Sequence, residues 1–100
     1  MARYIKESGI LLWKRENIDL TPDVCGVYVL RDIAKSIQYI GRTGPSRLRE
    51  RLLEHHREAD ISGINYFDWY QTASDEDAVS LEIDWIDKYF PPQNKRRGSG

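Results

Sequence analysis

Two aromatic, β-branched stretches lie almost end to end in this chain. VCGVYVLR occupies residues 24–31, SIQYIG occupies 36–41, and only the four residues DIAK separate them. A parallel pair would need a crossover of a dozen or more residues, so the two strands must form an antiparallel hairpin. Strand alternation then places Tyr28 with Leu30 on one face, and Ile37, Tyr39 and Gly41 on one face of the partner strand. The stretch GRTGP breaks the second strand. Ser46 is the expected N-cap of a helix running to about Ala59. After Gly63, INYFDWYQTA reads as a third strand. Ser74, with Asp77 three residues on, opens a second helix from Asp75 to Phe90, which Pro91-Pro92 cannot continue. The order hairpin, helix, strand, helix predicts an α+β fold, a three-stranded antiparallel sheet flanked by helices.

At 100 residues the chain is one domain, near the lower size that buries an adequate core without staples. No segment approaches a membrane span, and the apolar patch from Ile10 to Trp13 is too short for a secretory signal. Cys25 is the single cysteine, which excludes an intramolecular disulfide and predicts a reducing, cytoplasmic setting. The formal net charge of −1 excludes a strongly basic nucleic-acid coat and implies weak DNA affinity at physiological salt. Charge is nonetheless segregated. From Arg42 to Arg57 there are five arginines and two glutamates, whereas from Asp75 to Asp87 there are six acids and no base. Such runs suit a phosphate site beside a cation site, and equally suit two solvated faces.

Helical spacing sharpens the choice. Leu48, Arg51, Leu52 and His55 share one side of the first helix. Arg51 either snorkels to water beside a satisfied histidine or meets an anion. Arg47, Arg49 and Arg57 fall on other sides, where they either face solvent or contact phosphates. In the second helix Ala78, Leu81, Trp85, Ile86 and Tyr89 form an apolar stripe, and Glu82 falls within it. A carboxylate there must be paired, for example with Arg51, or must coordinate a metal. One carboxylate completed by phosphate oxygens and water suits Mg²⁺. Zinc is not expected, because His55 and His56 point in different directions and Cys25 lacks ligand spacing. The strand tyrosines either fill the core or act on protons. The second role requires neighbouring cations or a metal-bound water to lower a phenol from about 10, and the arginines after Tyr39 are such neighbours.

Taken together, Gly26-Val27-Tyr28, Tyr39-Ile40-Gly41, Arg51 with His55, Glu82 on a helix and Asn94 after the prolines resemble the GIY-YIG nuclease family. The likeness spans about Val24 to Asn94, with residues 1–23 as an extension packing on the domain and 95–100 as a flexible basic tail. It implies the three-stranded fold already read from the pattern, a DNA partner, and a divalent cation, Mg²⁺ or Mn²⁺. By the same resemblance Glu82 is the metal ligand and Arg51 the cation on the scissile phosphate. Tyr28 and Tyr39 are then the paired tyrosines, one of them a general base or water-positioning group, and His55 takes a position often held by histidine. Asn94 resembles the late asparagine that helps order the site, and Arg42 takes a place where a polar or basic residue is common; with Arg47 they are the expected substrate contacts. The first motif carries Val for Ile, which keeps the packing. The loop RTGPSR is longer than the usual spacing, so the assignment of Arg51 rests on the Arg51/Leu52/His55 pattern. Two functions follow: a metal-dependent endonuclease hydrolysing DNA phosphodiester bonds, or a non-cleaving nucleic-acid-binding module that keeps the fold. Specificity would come from DNA structure, a partner protein or a missing domain of a longer chain.

Overall fold

The computed structural model describes residues 3–44 and 46–94; the basic tail expected at 95–100 lies outside them. Three short N-terminal elements come first: β1 (Tyr4–Glu7), β2 (Leu11–Leu12) and α1 (Arg15–Asp19). The hairpin β3 (Gly26–Arg31) and β4 (Ile37–Arg42), helix α2 (Leu48–Glu58), strand β5 (Tyr66–Thr72) and helix α3 (Asp75–Tyr89) follow. All strand pairs are antiparallel, in the order β1-β5-β3-β4, with β2 also pairing β5. The three strands expected from the pattern are consecutive in it, as β5-β3-β4. The sheet nevertheless has five strands, because residues 4–12 add two short ones along β5. Among the described residues, no helix is long and apolar enough to cross a membrane.

Alternation along β3 feeds two cores, one on each face of the sheet. Tyr28 and Leu30 pack with Leu48, Leu52 and Phe67 on the α2 side. Val27, Val29 and Ile40 pack with Ala78, Leu81 and Ile86 on the α3 side. Fully burying one such aliphatic side chain stabilises by about 1.5–3 kcal/mol, so these two stripes hold the helices on the sheet. On the α3 side a nearly inaccessible Asp68 accepts from Arg31 Nε at 2.8 Å and Nη2 at 3.1 Å, and from the Tyr70 hydroxyl. This bidentate pair ties β3 to β5 and satisfies a charge that burial would otherwise penalise.

Three local expectations need correction. Ser46 does not cap α2: it sits at φ 57° in a turn, and the helix starts at Leu48 with no side-chain cap on Arg47. Ile37 does not share a face with Tyr39. The β3–β4 register pairs Leu30 with Tyr39 but Arg31 with Ile37, so Gln38 bulges out and Ile37 turns to the α3 core. A bulge of one residue inverts every side chain beyond it. Tyr89, placed on the apolar stripe by its spacing, is 45% exposed at the helix end, where Phe90 leaves the helix in the left-handed conformation. Ser74 does cap α3, accepting from the Asp77 N–H at 3.1 Å.

Candidate active site

Register places both motif tyrosines on the α2 face of the hairpin. Tyr28 lies directly opposite Gly41, and Tyr39 opposite Leu30, so the tyrosines are diagonal neighbours with ring centroids 6.2 Å apart. Glycine at 41 is a packing requirement, since a Cβ there would overlap Tyr28 Cζ and Oη. Across the hairpin, α2 presents His55. Its Nε2 is 2.7 Å from the Tyr28 hydroxyl, and its Nδ1 is 2.8 Å from Asp60 Oδ1. His56 turns the other way and stacks edge-on against Trp13.

The two tyrosines differ in access. Tyr28 is fully buried, whereas Tyr39 is half-buried and lines a cleft of about 580 Å³ with Asp60, Ile61, Glu82, Pro92, Gln93 and Asn94. Both phenols are pushed above their ordinary value. For Tyr28 the main cause is burial, reinforced by Tyr39 and only partly opposed by Arg51. Burial is also the main cause for Tyr39, again opposed by Arg51 and reinforced by Glu82. The expectation that nearby arginines would lower a tyrosine is therefore corrected: Arg51 acts in that direction, and desolvation outweighs it.

Glu82 reaches the cleft from the middle of α3, one turn beyond the buried Ala78. Its side chain is 18% exposed, and Arg42 Nε stands 3.7 Å from Oε1. The arginine beside it is thus Arg42, which also reaches Asp75 Oδ1 at 3.4 Å. Arg51 instead donates to Glu54 at 2.8 Å. That bond is the main cause raising the guanidinium and lowering the Glu54 carboxyl, and Tyr28 adds to the first shift. Arg42, Arg47 and Arg51 line a second, smaller cavity of about 260 Å³ with Thr43, Gly44 and Glu54. Arg47 is exposed and pairs with Glu50 and Glu54 at 2.9 and 3.4 Å. The Arg42–Glu82 contact joins the acidic cleft to this basic one.

Asn94 closes the wall. Its Oδ1 accepts from the Ile40 N–H and its Nδ2 donates to the Ile40 carbonyl, both at 2.8 Å. The carboxamide thereby occupies the open edge of β4 next to Tyr39, while the Gln93 N–H donates to the Gln38 carbonyl at 3.0 Å. Sequence reasoning passed over Asp60, Gln93 and Glu54. Asp60 and Gln93 lie in loops, where no periodicity marks a facing residue. Glu54 follows Arg51 by three residues on the helix, a spacing that pairs opposite charges.

The donor set suits a hard cation. Among the described residues no three His, Cys, Asp or Glu side chains converge as a metal cage. A cation on Glu82 would therefore complete its shell with water and substrate oxygens, the habit of Mg²⁺. The Glu82 carboxylate, on the wall of an open polar cleft, fits that group.

The chain has known relatives. Over 92 residues the chain is 32% identical to the UvrABC system protein C of Lacticaseibacillus casei, covering 83% of this chain and 15% of that protein. It is 28% identical over 82 residues to the protein of the same name from Methanothermobacter thermautotrophicus, covering 75% and 14%. The chain thus spans only about a seventh of these relatives' length. Its fold is similar to crystal structures of the GIY-YIG N-terminal endonuclease domain of UvrC from Thermotoga maritima. One is bound to its catalytic divalent cation, magnesium, with a TM-score of 0.65 and 25% identity over 82% of this chain and 100% of that one. Another, a tyrosine-to-phenylalanine point mutant bound to the catalytic divalent cation, gives 0.68 and 26% over 82% and 94%. Residues 24–97 match the GIY-YIG catalytic domain, and the chain belongs to that family.

Proposed function

We propose that this GIY-YIG domain is a divalent-cation-dependent endonuclease that hydrolyses DNA phosphodiester bonds in the cleft between β4, α2 and α3. The observation that carries the reading is the junction of two cavities. An oxygen-lined cleft holds Tyr39 and Glu82, a cavity lined by Arg42, Arg47 and Arg51 adjoins it, and Arg42 and Glu82 touch where they meet. Hydrolysis needs an oriented water, charge neutralisation at the phosphoryl oxygens and a stabilised leaving oxygen. Glu82 would hold Mg²⁺ or Mn²⁺, which when bound would supply Lewis acidity and a template for the phosphate. Arg51, fixed by Glu54, faces the charge that develops in the transition state. Arg42 and Arg47 hold the flanking backbone phosphates.

Tyr39 is the tyrosine that meets the attacking water, because it lines the cleft and Tyr28 does not. Burial raises its phenol, and its hydroxyl is placed to orient the water. Tyr28 stands behind it, bonded to His55, as a positioning group. Asn94 orders β4 through Ile40 and so keeps Tyr39 in place. A reducing, cytoplasmic setting accords with the lone cysteine, and DNA specificity falls to a partner or to further domains.

The tyrosine assignment is tested by single hydroxyl deletions. On a supercoiled plasmid with Mg²⁺, Tyr39→Phe should lose roughly 10²-fold in cleavage, and Tyr28→Phe distinctly less. The reverse ranking would make the buried hydroxyl the reacting one. Equal, wild-type rates would leave both tyrosines as packing alone.

A further inference from the structure

Helix α2 ends at Glu58, and Ala59 then adopts the left-handed conformation, at φ 50°, with its N–H bonded to the His55 carbonyl at 2.8 Å. This reversal folds the next side chain, Asp60, back onto the ring of His55. The result is a continuous line: Asp60 Oδ1 to His55 Nδ1 at 2.8 Å, then His55 Nε2 to the Tyr28 hydroxyl at 2.7 Å. The His55 side chain is 2% exposed and that of Asp60 is 43%. Asp60 is therefore the end of the line that forms the cleft wall with Tyr39 and Glu82.

For a neutral imidazole, a proton inventory gives the direction of each bond. A carboxylate only accepts, so Nδ1 must carry the hydrogen. A neutral imidazole with Nδ1–H offers Nε2 only as an acceptor, so Tyr28 must donate its single O–H there.

We infer that Asp60 is a positioning residue of the active site, holding His55 as the Nδ1–H tautomer so that its Nε2 accepts from the Tyr28 hydroxyl and fixes that ring beside Tyr39. Through this line a loop residue outside every motif holds the buried tyrosine that neighbours Tyr39. The inference deepens the proposed function and rests on it for the consequence in cleavage, but not for the tautomer itself.

The two can be separated. Side-chain ¹⁵N spectra of histidine distinguish the tautomers, and the chain has only two histidines, so a His56→Asn background leaves His55 alone. At neutral pH its Nδ1 should be protonated and its Nε2 not. Asp60→Ala should mix or invert that pattern, whereas Asp60→Asn should restore it, because the carboxamide oxygen still accepts from Nδ1–H. In plasmid cleavage Asp60→Ala should lower kcat roughly tenfold with KM little changed, as outer-shell partners typically do. Asp60→Asn should recover most of that loss. The inference is overturned if wild-type His55 carries its proton on Nε2 or is doubly protonated, or if Asp60→Ala leaves the spectrum unchanged. A wild-type domain that cuts no DNA would sink the functional reading, while the spectra would still decide the tautomer.

Discussion

Glu82→Ala should abolish Mg²⁺-dependent cleavage while leaving the domain folded. The carboxylate is the one acidic side chain that α3 directs into the cleft, and the helix is held on the sheet by Ala78, Leu81 and Ile86 instead. Metal catalysis is worth several kcal/mol of transition-state stabilisation. Each 1.4 kcal/mol is a factor of ten, so the loss should be at least about 10²–10³-fold. Glu82→Gln is the sharper variant. It keeps the shape and one oxygen but removes the charge a hard cation requires, and it should be nearly as inactive. Titration of Mn²⁺ into wild type and variant checks the same point without DNA: binding should be lost with the carboxylate. Retained Mn²⁺ binding would place the cation elsewhere in the cleft, with Asp60 the next acidic side chain on its wall.

Arg51→Ala should lower cleavage by roughly 10²–10³-fold, the usual loss of one donor aimed at transition-state charge. Stability should change little. The side chain is 41% exposed and its strongest contact is the ion pair with Glu54, a type of pair worth little when solvated. The expected signature is a fall in kcat with a near-normal melting temperature and little change in DNA binding. Lysine at the same position should recover only part of the loss, because it carries the charge without the planar fork of a guanidinium. Near-wild-type cleavage by Arg51→Ala would transfer the role to Arg42 or Arg47, which line the same cavity.

Much of this site is legible in the chain because periodicity carries it. Strand alternation puts Tyr28 on the face that packs against α2, and helical spacing puts Leu48, Leu52 and His55 on the buried side of α2 and Glu82 near that of α3. Elements without a period are not legible in that way. The bulge at Gln38 follows from how two strands pair, so it leaves no mark in either strand alone, and it sends Ile37 to the opposite core. The turn at Ser46 resembles a cap in composition but uses a positive φ instead. Strands β1 and β2 are too short and mixed to announce themselves, and they exist because β5 offers an edge to pair with. Asp60 is hidden for the same kind of reason: its contact with His55 depends on the left-handed turn at Ala59. The sign of the tyrosine shifts could not be read from charge density either, since it depends on how deeply each phenol is buried.

The central claim is that this cleft cuts phosphodiester bonds with a cation held at Glu82. Nicking of a supercoiled plasmid at low salt, where electrostatic binding is strongest, tests it most directly. Purified wild-type domain should accumulate open circles in Mg²⁺, stop in excess EDTA, and resume when Mg²⁺ is restored, while Glu82→Gln stays silent throughout. Nicking that persists in EDTA and in the variant alike, or a folded wild-type domain that never nicks in Mg²⁺ or Mn²⁺, would contradict the account.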